Sequence, residues 1–275
     1  MIEMPEAFTL ARQINETLTG KTFLRFEQGE LRHKFLWLNQ PAEETSAILA
    51  GQSISGASSY GRSLYVKVGQ EHMLWFGEIG GRLLYHPPAG PLPNRYHLRW
   101  DFTDGTTLSF VLQMWGFVRL LERPEFDQRP HKETGIAPLS PAFTLERFDQ
   151  LLEEYPDKTK KGVKGFLVTS QHVNGIGNSY CQDILFRARL RPERKIPTLT
   201  PDERRRLYDA IQDTLQLAIE QGGREDERDL FDQPGDYVRL MSSQTVEGPC
   251  PVCSTPIQKI AYLGGACYLC PKCQV

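Results

Sequence analysis

Two cysteine pairs carry the most specific chemistry in this 275-residue chain. Cys250-Pro-Val-Cys253 and Cys270-Pro-Lys-Cys273 are separated by sixteen residues, and two such knuckles supply four thiolates for one tetrahedral, structural Zn2+ ion. Cys267 lies three residues before Cys270, so a set using Cys267 and Cys270 also has workable spacing, although the matched Cys-Pro-x-Cys knuckles favour the outer pair. In either case the metal staples a hairpin too small to fold alone. Five of the six cysteines fall within residues 250–275, a clustering that in a reduced compartment favours metal over disulfides. The sixth, Cys181, reads as a small core residue.

The second motif is Asn174-Gly-Ile-Gly-Asn178-Ser-Tyr180, a glycine-rich turn feeding a helical pattern. Free amides at such a helix start, with an asparagine side chain beside them, suit a phosphate, although a plain tight turn has the same sequence signature. Its surroundings favour the phosphate. Residues 158–195 hold nine basic side chains against two acidic ones, Asp183 and Glu193, a local excess of +7. Basic runs usually make solvated faces, but one wrapped around a phosphate-competent turn and followed by a zinc finger reads as a nucleic-acid backbone site.

These motifs need elements to position them. Residues 5–18 carry apolar side chains at three- and four-residue steps with Pro5 in the first turn and Gly20 as the stop, which predicts a helix. Residues 22–121 change to short runs rich in aromatic and β-branched residues, among them SLYVKV, HMLWFGEI, YHLRWDF, TTLSFVLQM and GFVRLL, a sheet lobe of two packed layers. A polar, proline-bearing linker occupies 122–141. Helical periods follow at 143–154, 163–169, 179–188 and 201–221, the last ended by Gly222-Gly223. The expected architecture is α/β and multi-domain. An N-terminal helix plus β-sandwich fills 1–122, a helical domain 123–235, and a four-cysteine zinc finger 236–275.

Composition sets outer limits. The apolar share of 40%, the charged share of 24% and the formal charge of -2 are ordinary for a globular protein. Whole-chain charge gives no attraction for polyanions, so a nucleic-acid role rests on where the basic residues sit. No stretch approaches a membrane span, and the N-terminus lacks the layout of a signal peptide. The expectation is a cytoplasmic protein, nucleoid-associated if bacterial, monomeric and without a membrane partner.

Taken in order, GIGNSY, LFRARLRPER, PLSPAFT and CPVC…CPKC resemble the formamidopyrimidine-DNA glycosylase and endonuclease VIII family along the whole chain. The resemblance implies a helix-two-turn-helix unit that, with the zinc finger, grips phosphates around a flipped nucleotide. Asn178 and Lys164 inherit phosphate-binding roles by position. Arg62 is carried over as a DNA-binding residue from the family's Arg-x-Lys-Tyr, here Arg62-Ser63-Leu64-Tyr65. The implied partner is double-stranded DNA containing damaged bases or abasic sites.

The family begins Met-Pro-Glu-Leu-Pro-Glu, and this chain reads Met1-Ile2-Glu3-Met4-Pro5-Glu6, with Glu3, Pro5 and Glu6 in register. Family members attack the sugar C1′ with the amine of the proline that Ile2 replaces, while the first glutamate handles protons. The catalytic set implied here is Glu3, Glu6 and the α-amine of Met1, one residue out of place. Leu64 stands where the family has its hairpin lysine, Gly265 where it has its finger arginine, and Glu78 where it has a void-filling methionine. Its wedge becomes Gln113-Met114-Trp115-Gly116. Met114 and Trp115 are therefore DNA-contact candidates at the gap left by an everted base, with sheet-core residues as the alternative. The charged loop 222–229 corresponds to the family's loop over the base pocket.

Two functions of different class follow: damaged-DNA binding with base excision and little or no abasic-site lyase activity, or a catalytically silent reader that retains only the grip. A zinc-ribbon adaptor for protein partners is a third.

Overall fold

The computed structural model describes residues 1–128, 135–170 and 172–275. The chain forms two compact units, Met1–Pro130 with Gln221–Asp236, and His131–Glu220 with Tyr237–Val275.

The first unit starts with α1 (Met4–Thr17), fixed at its N-terminus by a reciprocal capping box between Glu3 and Glu6 and by Pro5 in the first turn. A four-stranded sheet follows the order β1 (Phe23–Gln28), β7 (Leu98–Phe102), β8 (Thr107–Leu112), β6 (Gly81–His86). A five-stranded sheet runs β2 (Leu36–Leu38), β9 (Gly116–Glu122), β5 (His72–Gly77), β4 (Ser63–Val68), β3 (Ile54–Tyr60). One face of each is apolar at every second residue, and these faces bury one core. Leu64, Val66 and Phe76 come from one sheet, Trp100 and Phe110 from the other, and Leu10 and Ile14 from α1. The Phe76 and Trp100 rings lie 5.5 Å apart.

The sandwich expected from sequence is present, and the five quoted runs became β4, β5, β7, β8 and β9. Sequence reading passed over β1, β2, β3, β6 and the helix α2 (Ala42–Leu49), which interrupts the β region. The expected linker 122–141 also begins differently: β9 reaches Glu122 and a short helix, α3 (Arg123–Gln128), follows directly, while residues 129–134 lie outside the described residues.

Residues 221–236, read from sequence as the end of the helical domain, pack instead in the first unit. Leu230 is fully buried in the sandwich core, its carbonyl accepts the Tyr85 N–H at 2.8 Å, and Gln13 bridges its N–H and the Asp229 carboxylate. Buried apolar surface and paired main-chain groups draw this charged segment back.

The second unit contains α4 (Leu145–Glu154), α5 (Asn178–Arg187), α6 (Pro201–Glu220) and a hairpin of β10 (Gln258–Tyr262) and β11 (Gly265–Leu269). The helix expected at 163–169 is a π-helical turn, Gly165–Thr169, closed by the Ser170 N–H on the Gly165 carbonyl at 3.0 Å. Asp183 joins α5 to the chain that leads into the cysteine hairpin. It is fully buried, and it accepts the Tyr237 hydroxyl at 2.8 Å and the Leu240 and Met241 N–H groups at 3.0 and 2.8 Å. Burial pushes its carboxyl above the usual range although these three donors oppose the shift. Among the described residues no helix is long and apolar enough to cross a membrane.

Candidate functional site

In the first unit the start of α1 carries a buried charge cluster. Glu3 and Glu6 are 4% and 3% exposed and Arg224 is 2% exposed. The Arg224 guanidinium lies 3.3 Å from Glu3 Oε1, 3.5 Å from Glu6 Oε2 and 2.8 Å from Glu227 Oε1, and it donates to the Met1 carbonyl at 3.0 Å. The Met1 α-ammonium is 2.7 Å from the same Glu227 oxygen. A guanidinium presents five donors in a rigid fork, which suits several carboxylates at once where a lysine would not.

The two glutamates are held differently. Glu6 accepts main-chain N–H groups on both oxygens, Glu3 N–H on Oε2 at 2.8 Å and Arg224 N–H on Oε1 at 3.0 Å. This requires the chain to pass over Glu6 at Gly223, where φ is +99° and a Cβ would sit 3.0 Å from Glu6 Cγ. A side chain at 223 would be strained and crowded, and Gly223 thus delivers Arg224 to the carboxylates.

Ile2 stands where the resemblance places the proline amine. Its side chain is 1% exposed in the sandwich core and its N–H donates to the Ile79 carbonyl at 3.0 Å. Leu64, at the lysine position, is fully buried, and Lys67 pairs with Met73 on the ladder, three residues from Leu64 and hence on the other sheet face. Arg62 is ion-paired with Glu78 at 3.0 Å. At the turn between β8 and β9, Met114 and Trp115 are 44% and 40% exposed, so they are not core residues. The turn is tied back by the Met114 and Gln113 N–H groups on the Gly80 carbonyl and by the Gly80 N–H on the Trp115 carbonyl.

In the second unit the glycine-rich turn ends at Gly177, which caps α5, and Asn178 is the first helical residue. Asn178 and Gln182 both donate to the Ala266 carbonyl, at 3.4 and 3.1 Å, and Gln182 accepts the Tyr268 N–H. Lys164, 3% exposed, donates to the Tyr262 carbonyl and approaches the Cys267 thiol, both at 3.2 Å. A Cβ added at Gly265 would lie 3.5 Å from Lys164 Nζ and 3.8 Å from Asn178 Oδ1. Lys164, Asn178 and the hairpin tip therefore converge on one point, with Gly265 leaving room above it.

The thiols of Cys250, Cys253, Cys270 and Cys273 lie within 4.8 Å of one another. Cys250 to Cys273 is 3.8 Å and Cys253 to Cys270 is 3.5 Å, near the edge of about 3.8 Å that a tetrahedron with metal–sulfur bonds of about 2.3 Å requires. Hydrogen bonds from Thr255 hold the Cys253 thiol down at about 6, while the bond to Cys253 pushes the Cys273 thiol up to about 12. The residues fit a metal. Cys267 points to Lys164 and stays outside the set, which closes the alternative ligand pairing.

Sequence reasoning had nominated Glu3, Glu6, Lys164, Asn178 and the four cysteines but not Arg224, Glu227 or Gln182, and it had read the loop holding Arg224 and Glu227 as a surface over the base pocket. The double glycine before Arg224 was the available signal.

Comparison with known proteins agrees with this geometry. Residues 1–114 match the formamidopyrimidine-DNA glycosylase N-terminal domain and residues 134–228 match the formamidopyrimidine-DNA glycosylase H2TH domain. Formamidopyrimidine-DNA glycosylase of Geobacillus kaustophilus is 31% identical over 283 residues, covering 100% of both chains. The enzyme of that name from Pelotomaculum thermopropionicum is 31% identical over 281 residues, covering 100% of this chain and 99% of the relative. Among solved structures, the complex of Lactococcus lactis Fpg with DNA containing an abasic site superposes with a TM-score of 0.86 at 24% identity, over 99% of each chain. Full-length matches with the same order of sandwich, two-turn helical unit and cysteine cluster leave one conclusion: the chain belongs to the formamidopyrimidine-DNA glycosylase family.

Proposed function

We propose that this protein is a DNA N-glycosylase that binds damaged DNA and releases the damaged base with water as the nucleophile. The observation that carries the reading is Glu3, which keeps the family's position and is fixed at the start of α1 beside Arg224. As a carboxylate, Glu3 takes a proton from water as its oxygen bonds to C1′. The glycosidic electron pair leaves with the base. General-base help of this kind contributes about 10²- to 10⁴-fold. Glu6, with both oxygens on main-chain N–H groups, positions the helix start and Arg224.

Covalent catalysis is disfavoured. The amide of Ile2 is no nucleophile, and the Met1 amine is engaged in an ion pair with Glu227 at 2.7 Å. Strand cleavage by the lyase route is accordingly weak or absent.

Lys164 and Asn178 hold phosphates of the damaged duplex at the hairpin tip, Met114 and Trp115 fill the space left by the everted nucleotide, and Arg62 keeps the Glu78 loop in place behind that turn. The four cysteines hold one structural zinc ion that fixes the hairpin. Chelation is expected to release one zinc per chain and to abolish lesion binding, and metal analysis alongside a binding isotherm checks both.

The test of the function is base release from duplexes carrying oxidised or ring-opened bases, run with borohydride trapping on abasic DNA. Alkali-labile product without a trapped adduct is expected. A trapped adduct lost on blocking the N-terminal amine would replace water with Met1, and absence of base release across such duplexes would overturn the enzyme reading. In the same assay Asn178→Ala is expected to weaken duplex binding by roughly 10- to 100-fold, the worth of a hydrogen bond to a charged group.

A further inference from the structure

The edge of the five-stranded sheet carries a row of rings with no part in the chemistry above. Residues 32–37 read Arg-His-Lys-Phe-Leu-Trp, a basic triplet followed by an apolar one, and Glu30 is the single acid in 30–38. Leu36 and Leu38 pack against the sandwich core, so the two-residue period of β2 turns Trp37 to the outer face, and Phe35 lies in the turn just before the strand. Phe35 and Trp37 are 41% and 51% exposed. The ring centroids of Phe35 and Trp37 are 6.3 Å apart, His33 follows at 5.9 Å from Phe35, and Lys34 Nζ sits 4.7 Å over the Phe35 ring.

This row is continuous with the turn that carries Met114 and Trp115. The Gly116 N–H donates to the Phe35 carbonyl at 3.0 Å, and Leu36 and Trp37 stand opposite Gly116 and Phe117 on the parallel β2–β9 ladder. Beyond it, Arg119 stacks over Phe117 at 5.0 Å and over Trp75 at 5.5 Å.

Single exposed rings are ordinary, but a contiguous row with cations at its margin marks a binding surface. Its chemistry suits one occupant. Unpaired nucleobases present flat π faces to Phe and Trp, and their phosphates pair with Arg32 and Lys34. Fully paired DNA hides those faces, and an apolar protein patch would leave both cations unpaired. We propose that Phe35 and Trp37, flanked by Arg32 and Lys34, form a stacking platform for unpaired DNA bases next to the lesion, extending the tip formed by Met114 and Trp115. The proposal rests on the damaged-DNA reading for the identity of the polymer, and it makes lesions in bubbles, forks or gaps the preferred targets.

The zinc-loaded, full-length protein is titrated with three labelled probes: a lesion duplex, the same lesion flanked by an unpaired thymidine tract, and the tract alone. Alanine replacement of a base-stacking ring costs roughly 5- to 100-fold per base. The double variant Phe35→Ala, Trp37→Ala is therefore expected to lose at least that factor on both tract-bearing probes and to keep wild-type affinity for the plain duplex, whereas Asn178→Ala loses affinity on the duplex. The tract is also expected to quench tryptophan emission, an increment that Trp37→Phe removes while retaining affinity. Equal binding of tract-bearing probes by wild type and double variant overturns the platform. Tract binding that the double variant loses, without any affinity for the lesion duplex, supports the platform while overturning the glycosylase reading, and failure to bind all three probes overturns both.

Discussion

Replacing Glu3 with glutamine is expected to slow base release by about 10²- to 10⁴-fold, the contribution of a well-placed general base, while lesion-duplex affinity stays close to wild type. The amide keeps the size of the carboxylate and can still accept from Arg224, which lies 3.3 Å away, so the helix start should survive and the loss should fall on the chemical step. Single-turnover excision with a parallel binding titration separates the two effects. Unchanged excision would remove Glu3 from the mechanism. Glu6→Gln is the informative contrast, because one of its two main-chain donors would then face an amide N–H, and its deficit should register mainly in stability.

The second large effect concerns Arg224. Arg224→Leu leaves the buried carboxylates Glu3 and Glu6 without their guanidinium. Breaking one side of a buried ion pair costs about 3–5 kcal/mol, because the remaining charge stays desolvated. Equilibrium chemical denaturation of the variant should show a loss of that order. Arg224→Lys should recover only part, since an ammonium cannot reach Glu3, Glu6, Glu227 and the Met1 carbonyl together. Wild-type stability in Arg224→Leu would mean that the carboxylates do not depend on this pairing.

Much of the fold was legible because its signals are local. The cysteine knuckles lie within 24 residues of chain and declare a metal site by spacing alone. The glycine–asparagine turn sits immediately before the helix it caps, and α1 announces itself through its period, Pro5 and the Gly20 stop. The edge strand β2 was missed because three residues give no readable period, and α2 because it is short and lies among strands.

The carboxylate cluster was only half legible. Glu3 and Glu6 came from the resemblance, but Arg224 meets Glu6 across 218 positions of sequence, and no local pattern reports such a pairing. A run reading Gly-Gly-Arg-Glu-Asp-Glu-Arg-Asp looks like solvated surface, and it is burial of Leu230 and the passage over Glu6 that turn it inward. Met114 and Trp115 posed the opposite problem: apolar residues beside strands read equally as core or as tip, and only their exposure decides.

The return of residues 221–236 to the sandwich makes that unit discontinuous in sequence. A truncation at the end of β9 or α3 would therefore yield a fragment without Arg224 or Leu230, carrying uncompensated acid at its first helix and a gap in its core. A single proteolytic nick near residue 130 would split the sandwich itself, leaving residues 221–236 attached to α6 while residues 1–130 are held to them by non-covalent contacts alone. Anyone wishing to study the halves apart must transplant the 221–236 segment, by circular permutation or as a tethered peptide, because the stabilising guanidinium is encoded on the far side of the helical unit.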